Sequence, residues 1–326
     1  MRILLFLYVA LCLTACSSKQ YYTPSNIEAE VQPLALTSPL AIQKSGGITL
    51  ENGAVLTRAG ISSYKLERGC VFLNENEDNI LMLCDETLRI LDKQSGIKQN
   101  LSYPHKPIAA SMNGEILALV LADNTLLLQN VHTEQILFSQ KQPSVSAISD
   151  INANPYFLRD LVIFPTLDGA LVIVDYNRLQ IVRNIVVGNA SQFNNVSFLD
   201  VFNNRLFAAT KFRLIAVSPE YISTQDVNVR EVLVLRDRVY IFTTDGEVLL
   251  CDMNLNIQKR IKFSFAHFLA VAVGQELAIL EKRGYIIALE PDFESFRVYQ
   301  ITRDIQMPTF GDSKALYFGE YYIKIP

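Results

Sequence analysis

A hairpin pattern recurs along the sequence at regular intervals, and this repeat constrains the fold more than any other feature. Each copy has an apolar strand, a tight turn, a second apolar strand and a polar residue seven positions after the turn. One of the clearest copies runs from Leu161 through a turn at Asp168-Gly169 to Asp175. Asp-Gly between β-type apolar runs predicts a hairpin, because glycine readily adopts the positive φ that a two-residue turn requires.

Seven turns of this kind follow one another, at Asp85, Asp123, Asp168, Lys211, Asp245, Arg283 and Glu320. A period of roughly 40 residues with paired strands in each unit is typical of a β-propeller, which has four strands in each blade. Many of the strands are almost continuously hydrophobic, as expected for strands that are buried on both faces. The sequence therefore predicts an all-β propeller of four-stranded antiparallel blades over residues 46–326.

The hairpin count favours seven blades. Residues 47–67 contain two further apolar runs, 54–56 and 61–64, which either supply an outer strand that closes the ring or form the remnant of an eighth blade. Only 27 residues separate Lys65 from Asp92, which is short for a full blade. Seven blades are expected, with eight as the alternative.

The N-terminus has the layout of a secretory signal peptide. Arg2 is followed by an apolar run from Ile3 to Leu13 that is too short to span a bilayer, and then by small residues and Cys16. Leu13-Thr14-Ala15-Cys16 is similar to the lipobox of bacterial lipoproteins, in which the signal is removed before the cysteine and the cysteine is acylated. This similarity implies a signal peptide over 1–15 and a lipid anchor at Cys16.

Residues 16–45 are predicted to form a flexible tether, because prolines at 24, 33 and 39 interrupt regular structure. Ser17 follows the cysteine in place of aspartate, which in enteric lipoproteins implies release to the outer membrane. The expected location is the periplasmic face of the outer membrane. The net charge of -4 argues against a nucleic-acid-binding protein.

Three cysteines remain beyond Cys16. Cys70 and Cys84 fall on neighbouring predicted strands, so that a disulfide is geometrically possible, but three buried thiols including Cys251 are the favoured interpretation.

Residues with catalytic potential form no known motif. The three histidines, His105, His132 and His267, are scattered, and the chain has no paired-cysteine zinc spacing and no glycine-rich phosphate loop. The acidic residues at repeat positions, Asp168, Asp175, Asp245 and Asp252, are expected to bond nearby backbone in turns. The sequence predicts a protein that is not an enzyme and holds no cofactor and no metal.

Three segments resemble the BamB family of quinoprotein-type propellers, which serves outer-membrane β-barrel assembly. They are 203–217, 312–318 and, most specifically, the loop Ile148-Ser149-Asp150-Ile151-Asn152-Ala153-Asn154-Pro155. The resemblance covers about residue 100 to the end. The chain departs from it in having no tryptophan and no adjacent cysteine pair, which argues against a quinone-dependent enzyme.

The resemblance implies a set of partner-binding residues. In the BamB family, the corresponding loop helps to bind a periplasmic POTRA domain of BamA through two acidic residues. Asp150 stands at the first of these positions and Asn152 at the second. A second family loop falls near Tyr103-Pro104-His105-Lys106, where Lys106 preserves a positive charge but the apolar pair is missing. His105 and Lys106 complete the predicted site.

The resulting hypothesis is a non-catalytic scaffold that binds BamA-like POTRA domains or nascent barrel strands, the latter by strand addition to a sheet edge. The alternatives are an accessory lipoprotein of a secretion system or flagellar motor and, third, a periplasmic enzyme that uses the central channel.

Overall fold

The computed structural model describes residues 20–188 and 192–325, and its strands form eight separate sheets. The all-β propeller is confirmed, but the prediction of seven blades is wrong. The predicted signal peptide and Cys16 lie outside the described residues. Six blades are simple four-stranded antiparallel sheets, and the two that contain the C-terminal strands each gain one N-terminal strand.

Blades 1 to 3 comprise, in chain order, β3 (Leu40–Lys44), β4 (Gly47–Leu50), β5 (Ala54–Thr57), β6 (Gly60–Lys65); β7 (Cys70–Glu75), β8 (Asn79–Cys84), β9 (Thr87–Asp92), β10 (Lys98–Leu101); and β11 (Pro107–Asn113), β12 (Ile116–Leu121), β13 (Thr125–Asn130), β14 (Ile136–Lys141). Blades 4 to 6 comprise β15 (Tyr156–Leu158), β16 (Leu161–Pro165), β17 (Ala170–Asp175), β18 (Gln180–Val186); β19 (Phe198–Phe202), β20 (Arg205–Ala209), β21 (Arg213–Val217), β22 (Ile222–Asp226); and β23 (Val229–Leu235), β24 (Arg238–Thr243), β25 (Glu247–Cys251), β26 (Ile257–Lys262). Blade 7 contains β27 (Phe268–Val273), β28 (Leu277–Glu281), β29 (Tyr285–Leu289), β30 (Phe296–Ile301) and β1 (Ala29–Val31), and blade 8 contains β31 (Thr309–Gly311), β32 (Ala315–Phe318), β33 (Tyr321–Lys324) and β2 (Leu34–Ala35).

Blade 1 is the blade that the hairpin count missed. Its first strand, β3, lies in the segment that the sequence analysis assigned to a tether, and its second and third strands are joined by a turn at 51–53. Gly53 has a φ of 84° there. The dipeptide Asn52-Gly53 is itself a strong hairpin signal, so the sequence carried the information for an eighth blade.

Two further strands lie within residues 16–45 and close the ring. Strand β2 pairs with β33, with Leu34 opposite Tyr322 and Ala35 opposite Tyr321. Strand β1 adds to blade 7 in parallel with β30. Residues 29–31 and 34–35 are therefore sheet because they pair with strands of the C-terminal blades, whereas residues 40–44 pair with β4 within blade 1.

Each interface between neighbouring blades holds its own cluster of buried apolar side chains. The cluster between blades 3 and 4 includes Phe164, and that between blades 5 and 6 includes Phe207. Both phenylalanines are completely buried, and a fully buried side chain of this size contributes about 1.5–3 kcal/mol. Second strands such as β12 are buried along nearly their whole length, which explains their continuous hydrophobicity.

The polar residue that ends the third strand of several blades has a structural role. The Asp175 carboxylate accepts hydrogen bonds from the backbone N–H groups of Asn177 and Arg178, at 3.0 and 2.9 Å. Asp252 accepts equivalent bonds from Asn254 and Asn256. For these two acids the predicted turn chemistry is confirmed, and the same pattern recurs at Asp92 and Asn130.

Cys70 and Cys84 form a disulfide between paired positions of β7 and β8. The interpretation of all three cysteines as buried thiols is therefore wrong for this pair, whose register brings the two Cα atoms within 4.1 Å. Cys251 is a buried free thiol, and burial raises its pKa to about 12.

The alternating strand direction defines two rims. The upper rim carries the connections between blades, including 102–106, 142–155, 263–267 and 302–308, together with the turn between the second and third strands of each blade. The lower rim carries the remaining turns. Along 20–188 and 192–325, no helix has the length and apolar character needed to cross a bilayer.

Candidate docking site

Both predicted partner-binding loops lie on the upper rim. Residues 103–106 connect blade 2 to blade 3, and residues 142–155 connect blade 3 to blade 4. His105, Lys106 and Asp150 are all exposed. The fold therefore brings the two loops to adjacent interfaces of one surface, although 44 residues separate Lys106 from Asp150 in the sequence.

Lys44 ends β3 beside the turn into β4, on the side of the lower rim, and its side chain interacts electrostatically with residues of both loops. Burial lowers its pKa, the positive charge of Lys106 lowers it further, and the Asp150 carboxylate acts in the opposite direction. Its half-buried ammonium therefore lies within the electrostatic reach of both predicted site residues. Sequence reasoning missed Lys44 because its environment depends on Lys106 and Asp150, which lie in loops from distant parts of the chain.

The Asn152 side chain points into the protein. It is only 7% exposed, and its Oδ1 accepts a hydrogen bond of 2.7 Å from Asn195 Nδ2. The amide thus supports the loop from within, while Asp150 two residues earlier is exposed to solvent. A partner that approached this rim would meet Asp150 and not Asn152.

Asn195 holds the loop through both ends of its amide. Its Oδ1 accepts bonds from the Ser149 backbone N–H and hydroxyl at 2.8 and 2.7 Å, and its Nδ2 also donates to the Ile151 carbonyl at 2.9 Å. Asn195 is completely buried. Satisfying these polar groups internally fixes the backbone on either side of Asp150.

The other end of the loop is tied to the inner strands of blades 2 and 3. Asn154 Nδ2 donates to the Leu73 carbonyl at 3.1 Å, and Asn154 Oδ1 accepts from the Ala110 N–H at 3.2 Å. The loop is therefore braced by three blades, and Asp150 is presented on a fixed support.

His105 has its own local partner. Its Nε2 lies 3.5 Å from the Asp123 carboxylate, which also accepts a bond of 2.8 Å from Lys141 Nζ. Partial burial opposes ionisation of Asp123, but Lys141 and Thr125 outweigh it and lower the pKa of the carboxyl. His105 thus contributes to a charged cluster of blade 3, beside Lys106.

One acidic group, Glu290, Asp292 and Glu294, brings its oxygen atoms within 4.8 Å of one another in the turn between β29 and β30. It lies on the lower rim and includes exposed side chains, which commonly cluster in this way without an ion. The Asp292 carboxylate accepts a bond from the Glu294 N–H, as in an ordinary turn. This group does not belong to the docking site.

Two of the other repeat acids are used in contacts between side chains. Asp168 Oδ1 accepts a bond of 2.8 Å from Asn124 of the neighbouring blade, and Asp245 pairs with Lys262 at 2.7 Å. The first contact joins blades 3 and 4, and the second lies within blade 6, between the turn before β25 and the end of β26.

Fold and site together define the class: an eight-bladed β-propeller with a braced, charged loop surface on one rim. No family model matches the chain. It is 26% identical to the plasminogen-binding protein PgbB of Helicobacter pylori strain J99, over 98% of this chain and 70% of that protein. The PgbB of strain 26695 matches with the same identity and coverage.

Among solved structures, the propeller is similar to BamB from Moraxella catarrhalis. The two share a TM-score of 0.65 at 14% identity, over 91% of this chain and 99% of BamB. The C-terminal WD40 domain of Sif2 gives a TM-score of 0.63 at 12% identity. At these identities the structural likeness concerns the fold alone.

Proposed function

We propose that this protein is a lipid-anchored, extracytoplasmic scaffold whose upper rim binds a partner protein in the bacterial envelope. The preferred partner is a POTRA domain of a BamA-like protein, or a nascent barrel strand. The scaffold is non-catalytic, and its location is the periplasmic face of the outer membrane, held by Cys16.

The observation that carries the proposal is the arrangement of Asp150, Lys106 and Lys44. Two loops distant in sequence lie at adjacent blade interfaces of one rim, and the hydrogen bonds of Asn195 and Asn154 hold the acidic residue in place. A rigid display of charge of both signs suits protein recognition, because complementary charges steer encounter and fix register. The BamB-like fold supports the choice of partner.

The disulfide supports the compartment. Disulfides persist in secreted, periplasmic and surface proteins and are rare in the reducing cytosol. A covalent bond between Cys70 and Cys84 is therefore consistent with export by the N-terminal signal.

Crosslinking in intact cells tests the partner. Affinity capture of the full-length protein after crosslinking should recover the BamA-like protein, and deletion of the gene should lower the levels of outer-membrane barrel proteins. Recovery of secretion or flagellar components without BamA would favour the alternative envelope complex and overturn the preferred partner.

Asp150→Arg tests the site. The substitution reverses the charge at an exposed position and is expected to reduce capture of the partner, while the fold stays intact. Asp237→Arg is the matched control, since Asp237 is an exposed acid on the lower rim, in the turn between β23 and β24. Equal capture by both variants would remove Asp150 from the site.

Plasminogen binding is the second candidate function. It is favoured by one observation, the match to the plasminogen-binding proteins of Helicobacter pylori over 98% of this chain. Purified protein would be titrated with immobilised plasminogen, with an unrelated immobilised serum protein as control. Saturable binding to plasminogen alone would support this candidate, and absence of binding would exclude it.

A further inference from the structure

A cleft of about 500 Å³ lies on the upper rim between blades 7 and 8, and two arginines line it. The Arg283 guanidinium stacks over the Tyr21 ring at 4.5 Å, and that of Arg303 stacks over the Tyr321 ring at 4.8 Å. Among the ion pairs of the described residues, neither arginine takes part. Two carboxylates accompany the arginines: Asp304 also lines the cleft, and Glu320 accepts a hydrogen bond from the Tyr321 side chain.

Three exposed apolar side chains lie on the same rim as this cleft. Tyr21 is 49% exposed, Phe265 is 49% exposed and Met307 is 61% exposed. Phe265 lies on the connection from blade 6 to blade 7, and Met307 lies on the connection from blade 7 to blade 8, which also supplies Arg303 to the cleft. Large exposed apolar side chains on a rim that also carries arginines outside any ion pair are typical of a surface that contacts a lipid interface.

The N-terminal chain leads from this patch toward the predicted lipid. Tyr22 is buried against Phe263 and Tyr285, with edge-on ring contacts at 6.1 and 5.6 Å, and it fixes the position of Tyr21. Five residues separate Tyr21 from Cys16, and an extended chain covers at most about 3.6 Å per residue. The predicted attachment point, Cys16, can therefore be no further than about 18 Å from Tyr21.

We propose that this patch, defined as Tyr21, Phe265, Arg283, Arg303 and Met307, binds the phosphate-bearing surface of the membrane that holds the lipid anchor. The proposal rests on the lipid anchor of the proposed function. The two arginines bind headgroup phosphates, and the three apolar side chains enter the boundary between headgroups and acyl chains.

The chemistry of the patch fits this ligand. A guanidinium group presents several N–H donors in a planar fork that matches the oxygens of a phosphate. Stacking on tyrosine rings restricts each arginine before it binds, which lowers the entropic cost of the contact. Phe265 is held with a φ of 64°, an uncommon conformation for a bulky residue, and its ring remains exposed to solvent.

The position of the patch also orients the propeller. Blades 7 and 8 lie across the ring from blades 3 and 4, which present Lys106 and Asp150. Contact through the patch would tilt the upper rim so that the docking site stands away from the bilayer. The same rim can then hold the membrane and bind a partner at once.

The lack of tryptophan in the chain makes a direct test possible. Phe265→Trp introduces a single tryptophan into the patch, and Ile97→Trp is the matched control at an exposed position (69%) on the lower rim. Each full-length protein, processed and acylated by the producing bacterium, is reconstituted into vesicles of phosphatidylcholine and phosphatidylglycerol with brominated acyl chains. Bromine should quench the emission of Phe265→Trp and leave that of Ile97→Trp unchanged.

Adding Arg283→Gln and Arg303→Gln to the Phe265→Trp protein tests the arginines. Each arginine near an anionic surface strengthens the partition of the patch into the membrane by about fivefold. Without the two arginines, quenching should fall strongly, and more phosphatidylglycerol should be needed to restore it. No quenching of Phe265→Trp, or equal quenching with and without the arginines, would overturn the proposal. Vesicle flotation of the same samples reports the anchor separately: a protein that does not float lacks the lipid anchor, whereas one that floats unquenched has the anchor but no membrane-binding patch.

Discussion

Arg58 and Glu231 form an ion pair although they belong to blades 1 and 6, which are not neighbours in the ring. The Arg58 guanidinium also donates to the carbonyls of Val271 in blade 7 and Gly311 in blade 8, at 3.0 and 2.8 Å. The first strands of blades 6, 7 and 8 thus meet at one side chain of blade 1. This contact supplements the strand pairing of β2 with β33 that closes the ring.

Arg58→Met should lower the free energy of unfolding by about 1–3 kcal/mol, because two backbone carbonyls lose a charged donor and Glu231 loses its partner. Chemical denaturation measures this change. Arg213→Met is the control, since Arg213 pairs with Asp226 on the exposed surface of a single blade and should cost no more than about 1 kcal/mol. An equal loss in both variants would argue against a role of Arg58 in ring closure.

The sequence predicted most of the ring because its signals are local. A turn such as Asp245-Gly246 needs only a positive φ at the glycine, and Gly246 has a φ of 83°. The blade count failed although the signal was local, because the Asn52-Gly53 turn of blade 1 was not counted among the hairpins. Ring closure is not local: Leu34 and Ala35 pair with residues almost 290 positions later. No periodicity near the prolines of residues 24–39 indicates which distant edge such short strands join.

The disulfide provides a second prediction. It closes a loop with a sequence separation of 14, and such a cross-link is worth about 3 kcal/mol by restricting the unfolded chain. Reduction with dithiothreitol should therefore lower the denaturation midpoint. Cys70→Ala with Cys84→Ala should reproduce the reduced midpoint and abolish the response to reductant. A wild-type midpoint that does not respond to reductant would contradict the prediction.

The candidate site was only partly predictable. The loop containing Asp150 was found from its residue pattern, but a pattern does not show which side chains point outward. Asn152 is buried because Asn195, 43 positions later, offers a partner of matching polarity. Lys44 was missed because its environment depends on two loops from other blades.

Asn195→Ala should loosen the docking loop without changing its surface. The substitution leaves the part-buried Ser149 N–H and Ile151 carbonyl and the buried Asn152 amide oxygen without their partner, which costs about 1–3 kcal/mol. Faster hydrogen exchange over residues 148–152 and weaker partner capture are expected, although Asp150 remains. Asn177→Ala is the control, because Asn177 bonds to Asp160 at the exposed surface. Unchanged exchange in Asn195→Ala would show that the loop is held in another way.

Glu281 provides a pH-dependent prediction. Its side chain is completely buried, and burial raises the pKa of the carboxyl above its ordinary value of 4.5, although the backbone N–H groups of Arg283 and His267 bond to it and act in the opposite direction. The titratable groups that interact with the Glu281 carboxyl are Arg283, His267 and Tyr22.

A carboxyl with a raised pKa binds its proton more tightly in the folded than in the unfolded protein. Its contribution to stability is therefore complete below pH 4.5 and is lost as the pH rises through the folded pKa. Glu281→Gln keeps an oxygen acceptor but cannot ionise, so its stability relative to wild type should increase between pH 4.5 and 7.5. The measurement is the difference in urea midpoints between the two proteins. Asp123, Asp226 and Asp245 have lowered pKa values and also make stability depend on pH, but they contribute equally to both proteins and cancel in the difference.

Glu281→Ala, which leaves both N–H groups without an acceptor, should lower the free energy of unfolding by about 1–3 kcal/mol. A difference between Glu281→Gln and wild type that stays constant with pH would mean that the Glu281 carboxyl titrates alike in the folded and unfolded protein.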